Sequence, residues 1–254
     1  MATQVYFIGA GPGDPDLLTI KGKRIIERAD VIIYADSLVN PAVCSCAKEG
    51  VDIYQSASLS LDQITEIITN AVRQGKLVAR LQSGDPSIYG AIQEQMVVLD
   101  EKGIKYEIIP GVSSLFAAAA TLKTELTIPE LSQTVIITRM EGRTPVPGSE
   151  SLKGLAAHRA TMAIFLSASL VESVVAELLE GGYPAETPAA VVYRASWEDE
   201  IVVRTTLKSL AEQVKALGIK KQALILVGDF LNSKGKGMRS QLYNEGFRHE
   251  FRTS

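Results

Sequence analysis

Residues 9–15 read Gly-Ala-Gly-Pro-Gly-Asp-Pro and follow a short apolar run at 5–8. Two more glycine turns follow apolar runs: 83–90, Ser-Gly-Asp-Pro-Ser-Ile-Tyr-Gly, and 110–114, Pro-Gly-Val-Ser-Ser. Glycine at such a point permits a tight turn and lets backbone approach a ligand closely. A dinucleotide fingerprint needs G-x-G-x-x-G, with its third glycine beneath a pyrophosphate. Here that position is Asp14, beside Pro15, and a carboxylate there repels a diphosphate. Asp30 and Asp36 stand at ribose-contact spacing, so a NAD-dependent oxidoreductase is the alternative rather than the leading reading. The G-x-x-x-x-G-K-[ST] pattern of a triphosphate loop is absent. Three such turns at the carboxyl ends of neighbouring strands would converge on one crevice with exposed amides and almost no positive charge. That lining suits a nucleoside-like ligand without phosphates, such as an adenosyl group.

The elements that must position these turns follow from periodicity. Apolar, β-branched runs at 5–8, 31–34, 51–54, 77–81 and 106–109 alternate with helical patterns at 17–29, 61–74, 88–102 and 113–122. Ser60 or Asp62 can cap the helix at 61–74. Such alternation predicts βαβ units and a mostly parallel sheet. Residues 124–133 (TELTIPELSQ) break the pattern. A second series follows, with strands at 135–138, 162–166, 189–193, 201–204 and 223–227 and helices at 171–180 and 207–217. The close succession of 189–196 and 200–206 predicts a hairpin and hence a mixed sheet. The expected fold is therefore two α/β domains, 1–128 and 129–232, with mostly parallel or mixed sheets and a ligand cleft between them. Residues 233–254 read as an irregular basic tail carrying Lys234, Lys236, Arg239, Arg248 and Arg252.

Composition narrows the classes further. With 254 residues, 46% hydrophobic and 22% charged, the chain is no disordered polymer. Its 20 Gly, 10 Pro and 2 Cys exclude collagen and disulfide scaffolds. Lys and Arg total 26 against 29 Asp and Glu, net −3, so no global basic field awaits nucleic acid or an anionic membrane. An acidic ligand would need local arginines. The N-terminus lacks the basic segment of a signal or transit peptide, and no apolar run approaches the ~18–20 residues of a membrane span. A soluble, cytoplasmic protein is expected. Cys44 and Cys46 have only His158 and His249 as further soft or imidazole ligands, so no metal is expected.

Residues 9–15 with Leu17-Leu18-Thr19, 29–34 (ADVIIY), 80–90 (RLQSGDPSIYG) and 110–114 together carry a family resemblance. The sequence resembles the tetrapyrrole (corrin and porphyrin) methylases over nearly its whole length. Residues 34–39, 89–96, 126–129, 138–145 and 204–206 are similar to corrin-forming members that methylate ring carbon C11. Acceptors at C1/C7, C17 or C20 are the alternative within the family. The resemblance implies a homodimer of two-domain α/β chains, with S-adenosylmethionine as methyl donor and S-adenosylhomocysteine as product. It also implies donor contacts from Pro12, from Ser83, Gly84, Asp85 and Ile88, and from Ser113 and Ser114. Leu166, where a relative has methionine, and Ala195, where it has glycine, complete the set.

The acceptor so implied is a polycarboxylate tetrapyrrole, and arginine holds a carboxylate bidentately while staying charged. Arg80, just before the second glycine turn, is the first candidate. Arg139 and Arg143 lie in 138–147, which Pro145 and Pro147 could stiffen into a lid. Alternatively Arg80 pairs with Asp85 or Glu94, and Arg139 and Arg143 pair with Glu141. Asp14 and Asp36 could take a ring proton or merely make turns. Tyr89 could stack on the macrocycle or fill a domain joint, and His158 reads as a surface residue. A non-catalytic sensor of an adenosyl ligand is a third reading.

Overall fold

The computed structural model describes residues 3–232 and Arg248. The expected basic tail therefore lies outside the described residues, apart from Arg248, which is exposed. Contacts divide the chain into two compact units, Met1–Ala117 with Arg194–Glu200, and Ala118–Tyr193 with the chain from Ile201 onward.

The first unit carries strands β1 (Val5–Gly9), β2 (Val31–Tyr34), β3 (Asp52–Gln55), β4 (Val78–Gln82) and β5 (Tyr106–Ile109). They form one sheet in the order β3-β2-β4-β1-β5, parallel throughout. β2 and β4 are buried at every position, as strands covered on both faces must be. One face packs Ile8, Ile26, Ile32, Leu81 and Ile109, and the other Val5, Phe7, Ile33, Ile68 and Leu99. Burying each such side chain is worth about 1.5–3 kcal/mol, which holds the sheet rigid beneath the loops at its carboxyl edge.

Helices α1 (Ile20–Ile26), α2 (Leu61–Arg73) and α3 (Gln93–Glu101) lie between successive strands in the chain, and α4 (Ser114–Thr121) follows β5. Ser60 caps α2 in a reciprocal box with Gln63. Two helices start later than periodicity predicts. Residues 15–17 form a separate 3₁₀ turn capped by Asp14, and Thr19 then caps α1 through Gly22 N at 3.2 Å. Residues 85–92 are loop rather than helix. Tyr89 and Ala91 stand there at φ 53° and 49°, and a Cβ on Gly90 would lie 2.2 Å from Pro86 O.

The second unit carries β6 (Val135–Arg139), β7 (Thr161–Phe165), β8 (Pro188–Tyr193), β9 (Ile201–Thr206) and β10 (Ala223–Val227), ordered β6-β7-β10-β8-β9. β6 and β7 run parallel; β10 opposes β7 and β8, and β8–β9 is the expected antiparallel hairpin. Helices α5 (Leu152–Ala156), α6 (Val171–Glu180) and α7 (Leu207–Ala216) supply Ala156, Val174, Leu178, Leu210 and Val214 to its core. The mixed α/β architecture follows the pattern of the sequence, whereas α5 is too short to show a period. Residues 118–128 join this unit through side chains. Arg204 Nη2 donates to Leu122 O, Thr161 Oγ1 to Leu126 O at 2.8 Å, and Thr124 Oγ1 to Phe230 O at 3.0 Å.

Candidate active site

The three glycine turns leave adjacent strands β4, β1 and β5 at their carboxyl ends, the usual ligand edge of a parallel sheet. Their backbones interlock. Gly84 N donates to Gly11 O at 2.8 Å and Gly11 N to Gly84 O at 3.3 Å, while Ala10 N reaches Gln82 O at 2.8 Å. A Cβ on Gly111 would lie 2.2 Å from Gly84 O and 2.6 Å from Gly9 Cα. Gly9 and Gly111 thus serve loop-on-loop packing, and the N–H groups of residues 10, 11, 84 and 111 bind protein acceptors. The expected exposed amides are not these. Gly84, at φ 64°, differs: a Cβ there would meet only ordinary contacts at 3.5 Å or more from the third turn.

Asp85 ties the second turn to the third. Its Oδ2 accepts from Gly111 N at 2.8 Å, and its Oδ1 accepts from both the N–H and the hydroxyl of Ser87. Burial alone would raise its pKa, yet these donors outweigh burial and hold the carboxyl below its usual 3.8. Ser113 is buried and its hydroxyl accepts from Leu115 N at 3.3 Å, opening α4; Ser83, Ser114 and Ile88 are half-buried and Pro12 is buried.

Arg80 is only 5% exposed. Its Nε donates to Gln95 Oε1 at 3.1 Å, and its Nη1 to Ser56 Oγ at 3.1 Å and Ile33 O at 3.3 Å. Gln95 Nε2 in turn holds Ala91 O at 3.0 Å, so the arginine braces the strained end of the second glycine loop. Neither Asp85 nor Glu94 pairs with it among the described residues. Burial pushes its guanidinium down to about 10, still protonated at neutral pH.

Asp14 makes a local turn, whereas Asp36 ties the loop after β2 to the segment after β3. Asp14 Oδ1 accepts from Asp16 N at 2.9 Å and Asp36 Oδ1 from Ala57 N at 3.1 Å. Tyr89 is 44% exposed at the strained tip of the second turn. Ala195 is buried between Arg194 and Ser196, which take φ 48° and 67°. In the second unit, Leu166 follows β7 at φ 53° and is 63% exposed. Arg139 closes its own loop, donating to Thr144 O at 3.2 Å and Pro145 O at 2.7 Å, while Arg143 is exposed; neither pairs with Glu141. His158 is exposed as expected.

The sequence profile of the Tetrapyrrole (Corrin/Porphyrin) Methylases matches residues 4–211. The chain belongs to this family. Among relatives of this tetrapyrrole methylase, the cobalt-precorrin-4 C(11)-methyltransferase of Methanocaldococcus jannaschii is 60% identical, over 99% of this chain and 96% of its own. An X-ray structure of a cobalt precorrin-4 methyltransferase, a cobalamin biosynthetic enzyme, superposes with TM-score 0.87 at 50% identity, covering 89% of this chain and 95% of that one. The uroporphyrin-III C-methyl transferase of Thermus thermophilus, solved with S-adenyl homocysteine, gives TM-score 0.76 at 29% identity, covering 90% and 93%. The dinucleotide reading gives way to the methylase reading.

Several residues of the methylase loops escaped the reading of the sequence. Asn40 Nδ2 donates to Gly13 O at 2.9 Å, Trp197 Nε1 to Pro12 O at 2.9 Å, and Asp14 N to Ser196 Oγ at 3.0 Å. Ser167, fully buried, donates to Phe165 O at 2.6 Å and accepts from Met140 N at 2.8 Å, joining the tips of β7 and β6. Residue type and position signalled none of these, because each partner is remote in sequence or bound through backbone. No described helix is long and apolar enough to cross a membrane.

Proposed function

We propose that this methylase transfers a methyl group from S-adenosylmethionine to C11 of (cobalt-)precorrin-4, giving (cobalt-)precorrin-5 and S-adenosylhomocysteine. The observation carrying the choice of acceptor is the 60% identity, over nearly the full length of both chains, to the archaeal relative of that name. The S-adenyl homocysteine complex of the Thermus relative supports the donor. The donor set fits: residues 9–15, 83–90 and 110–114 contain hydroxyls, apolar side chains and acids but no Lys or Arg, which suits a sulfonium nucleoside and not a polyphosphate.

When bound, the donor supplies an activated methyl on sulfonium, so the protein's task is orientation and a matched field. Pro12, Ser83, Gly84, Asp85, Ile88, Ser113, Ser114, Leu166 and Ala195 hold the donor in this reading. Asp85 acts through loop geometry, since Gly111 and Ser87 occupy its oxygens. Arg143 meets a side-arm carboxylate, Arg139 stiffens the loop presenting it, and Tyr89 contributes its exposed ring. Arg80 acts as a positioning group, because its guanidinium is buried on Gln95, Ser56 and Ile33. Asp14 shapes a turn and Asp36 links two loops. In this proposal the enzyme works in the cytoplasm, and as a homodimer, the assembly that the family resemblance implies.

Incubation with cobalt-precorrin-4 and with other candidate precorrins, each with methyl-labelled S-adenosylmethionine and followed by carbon-13 NMR, tests the reading. Label at C11 is expected. Label at C1, C7, C17 or C20 would overturn the acceptor and keep the methylase. Saturable S-adenosylhomocysteine binding without transfer to any tetrapyrrole would make the protein a sensor.

A further inference from the structure

Residues 194–200 belong to the first unit, although they connect two strands of the second sheet. They fold on themselves, with Trp197 N bonded to Arg194 O at 2.9 Å, Glu200 N to Trp197 O at 3.2 Å, and Ser196 N to Glu200 Oε2 at 2.7 Å. The Arg194 guanidinium lies 3.8 Å from the centroid of the Trp197 ring and pairs with Asp199. This knot grips the first glycine turn at consecutive residues. The indole N–H holds Pro12 O, the indole edge covers Gly13, and Ser196 Oγ holds Asp14 N. A Cβ on Gly13 would lie 2.1 Å from Trp197 Cδ1 and 2.4 Å from its Nε1. Gly13 is therefore a glycine because the indole occupies the place of its side chain.

We propose that Trp197 is a positioning residue for the donor nucleoside. It fixes residues 12–14 against 195–197, so that Pro12 and Ala195, 183 positions apart in the chain, meet the same ligand. This rests on the donor reading above. The indole does two things that aliphatic packing cannot: it bonds the Pro12 carbonyl, and its flat edge selects glycine at 13. Arg194 and Ser196 hold left-handed backbone conformations, costing about 1–3 kcal/mol each, and the knot of bonds around Trp197 sustains them.

Trp197 is the chain's single tryptophan, so its emission reports this contact directly. In the full-length protein, S-adenosylhomocysteine is expected to shift that emission. Trp197→Phe, which keeps a ring but loses the N–H donor, is expected to weaken S-adenosylhomocysteine binding about five- to tenfold in calorimetry. Trp197→Ala weakens it further. In both, the KM for S-adenosylmethionine rises while kcat changes little. Gly13→Ala expels the indole, red-shifting its emission, and weakens S-adenosylhomocysteine as Trp197→Ala does. The double variant Gly13→Ala/Trp197→Ala is no worse than Trp197→Ala alone, because the clash is gone. Unchanged affinity in Trp197→Phe and Trp197→Ala, or additive losses in the double variant, would overturn the proposal. Should Trp197→Ala fail to fold, Trp197→Phe decides alone. A wild-type protein that ignores S-adenosylhomocysteine would instead overturn the donor reading, and the red shift in Gly13→Ala would still report the Trp197–Gly13 contact.

Discussion

The carboxyl-end loops of the first unit and the tips of β6 and β7 in the second are held by different means. In the first, backbone presses on backbone: Gly9 and Gly111 crowd one another and the Gly84 carbonyl, Gly11 and Gly84 exchange backbone bonds, and side chains such as Asp85 and Trp197 fasten onto this knot. In the second, polar side chains secure the ends. Ser167 joins Phe165 to Met140, and Arg139 collects the carbonyls of Thr144 and Pro145. Where backbones interlock the site is stiff and rejects a Cβ at Gly9 or Gly111. A side-chain-built one loses a bond at a time and admits substitution.

The sharpest break in this comparison is Gly111→Ala. Its Cβ meets backbone on both sides, so a loss of at least ~3 kcal/mol and a Tm lower by about 10 °C are expected in thermal melts. Survival at the wild-type Tm would show that the turns do not interlock. Gly84→Val comes next: at φ 64° a branched side chain is strained and crowds Ser113, and calorimetry is expected to show donor binding abolished with only partial loss of stability. In the second unit, Ser167→Ala leaves the half-buried Met140 N–H without its acceptor. About 1–3 kcal/mol of stability should be lost in chemical denaturation, with donor affinity retained. Smallest is the acid limb of Asp85. Its lowered carboxylate pKa adds stability present above 3.8 and lost as the pH falls through the folded value. Denaturation profiles of wild type and Asp85→Asn should therefore converge below that pH, and parallel profiles would show that the carboxylate's charge adds nothing.

Much of the fold was legible because it rests on local period. The β-branched runs of β1, β2, β4 and β5 and the Ser60–Gln63 box announce themselves within a few residues. The start of α3 was not, because Arg80 and Gln95 stabilise residues 89–91 in a loop from fifteen residues apart. The unit boundary likewise moved from the expected 128 to Ala117, since carbonyls of Leu122 and Leu126 find their donors on Arg204 and Thr161.

For the site, the glycine turns and their lack of cations were written in residue types. Their partners were not. That Arg80 would be buried on neutral acceptors, that Arg139 would close its own loop, and that Trp197 would rest on Gly13 depended on contacts across long stretches of chain. Residue type and spacing specify what a segment can do by itself; which donor meets which acceptor is decided when the sheets form and bring distant loops within bonding distance.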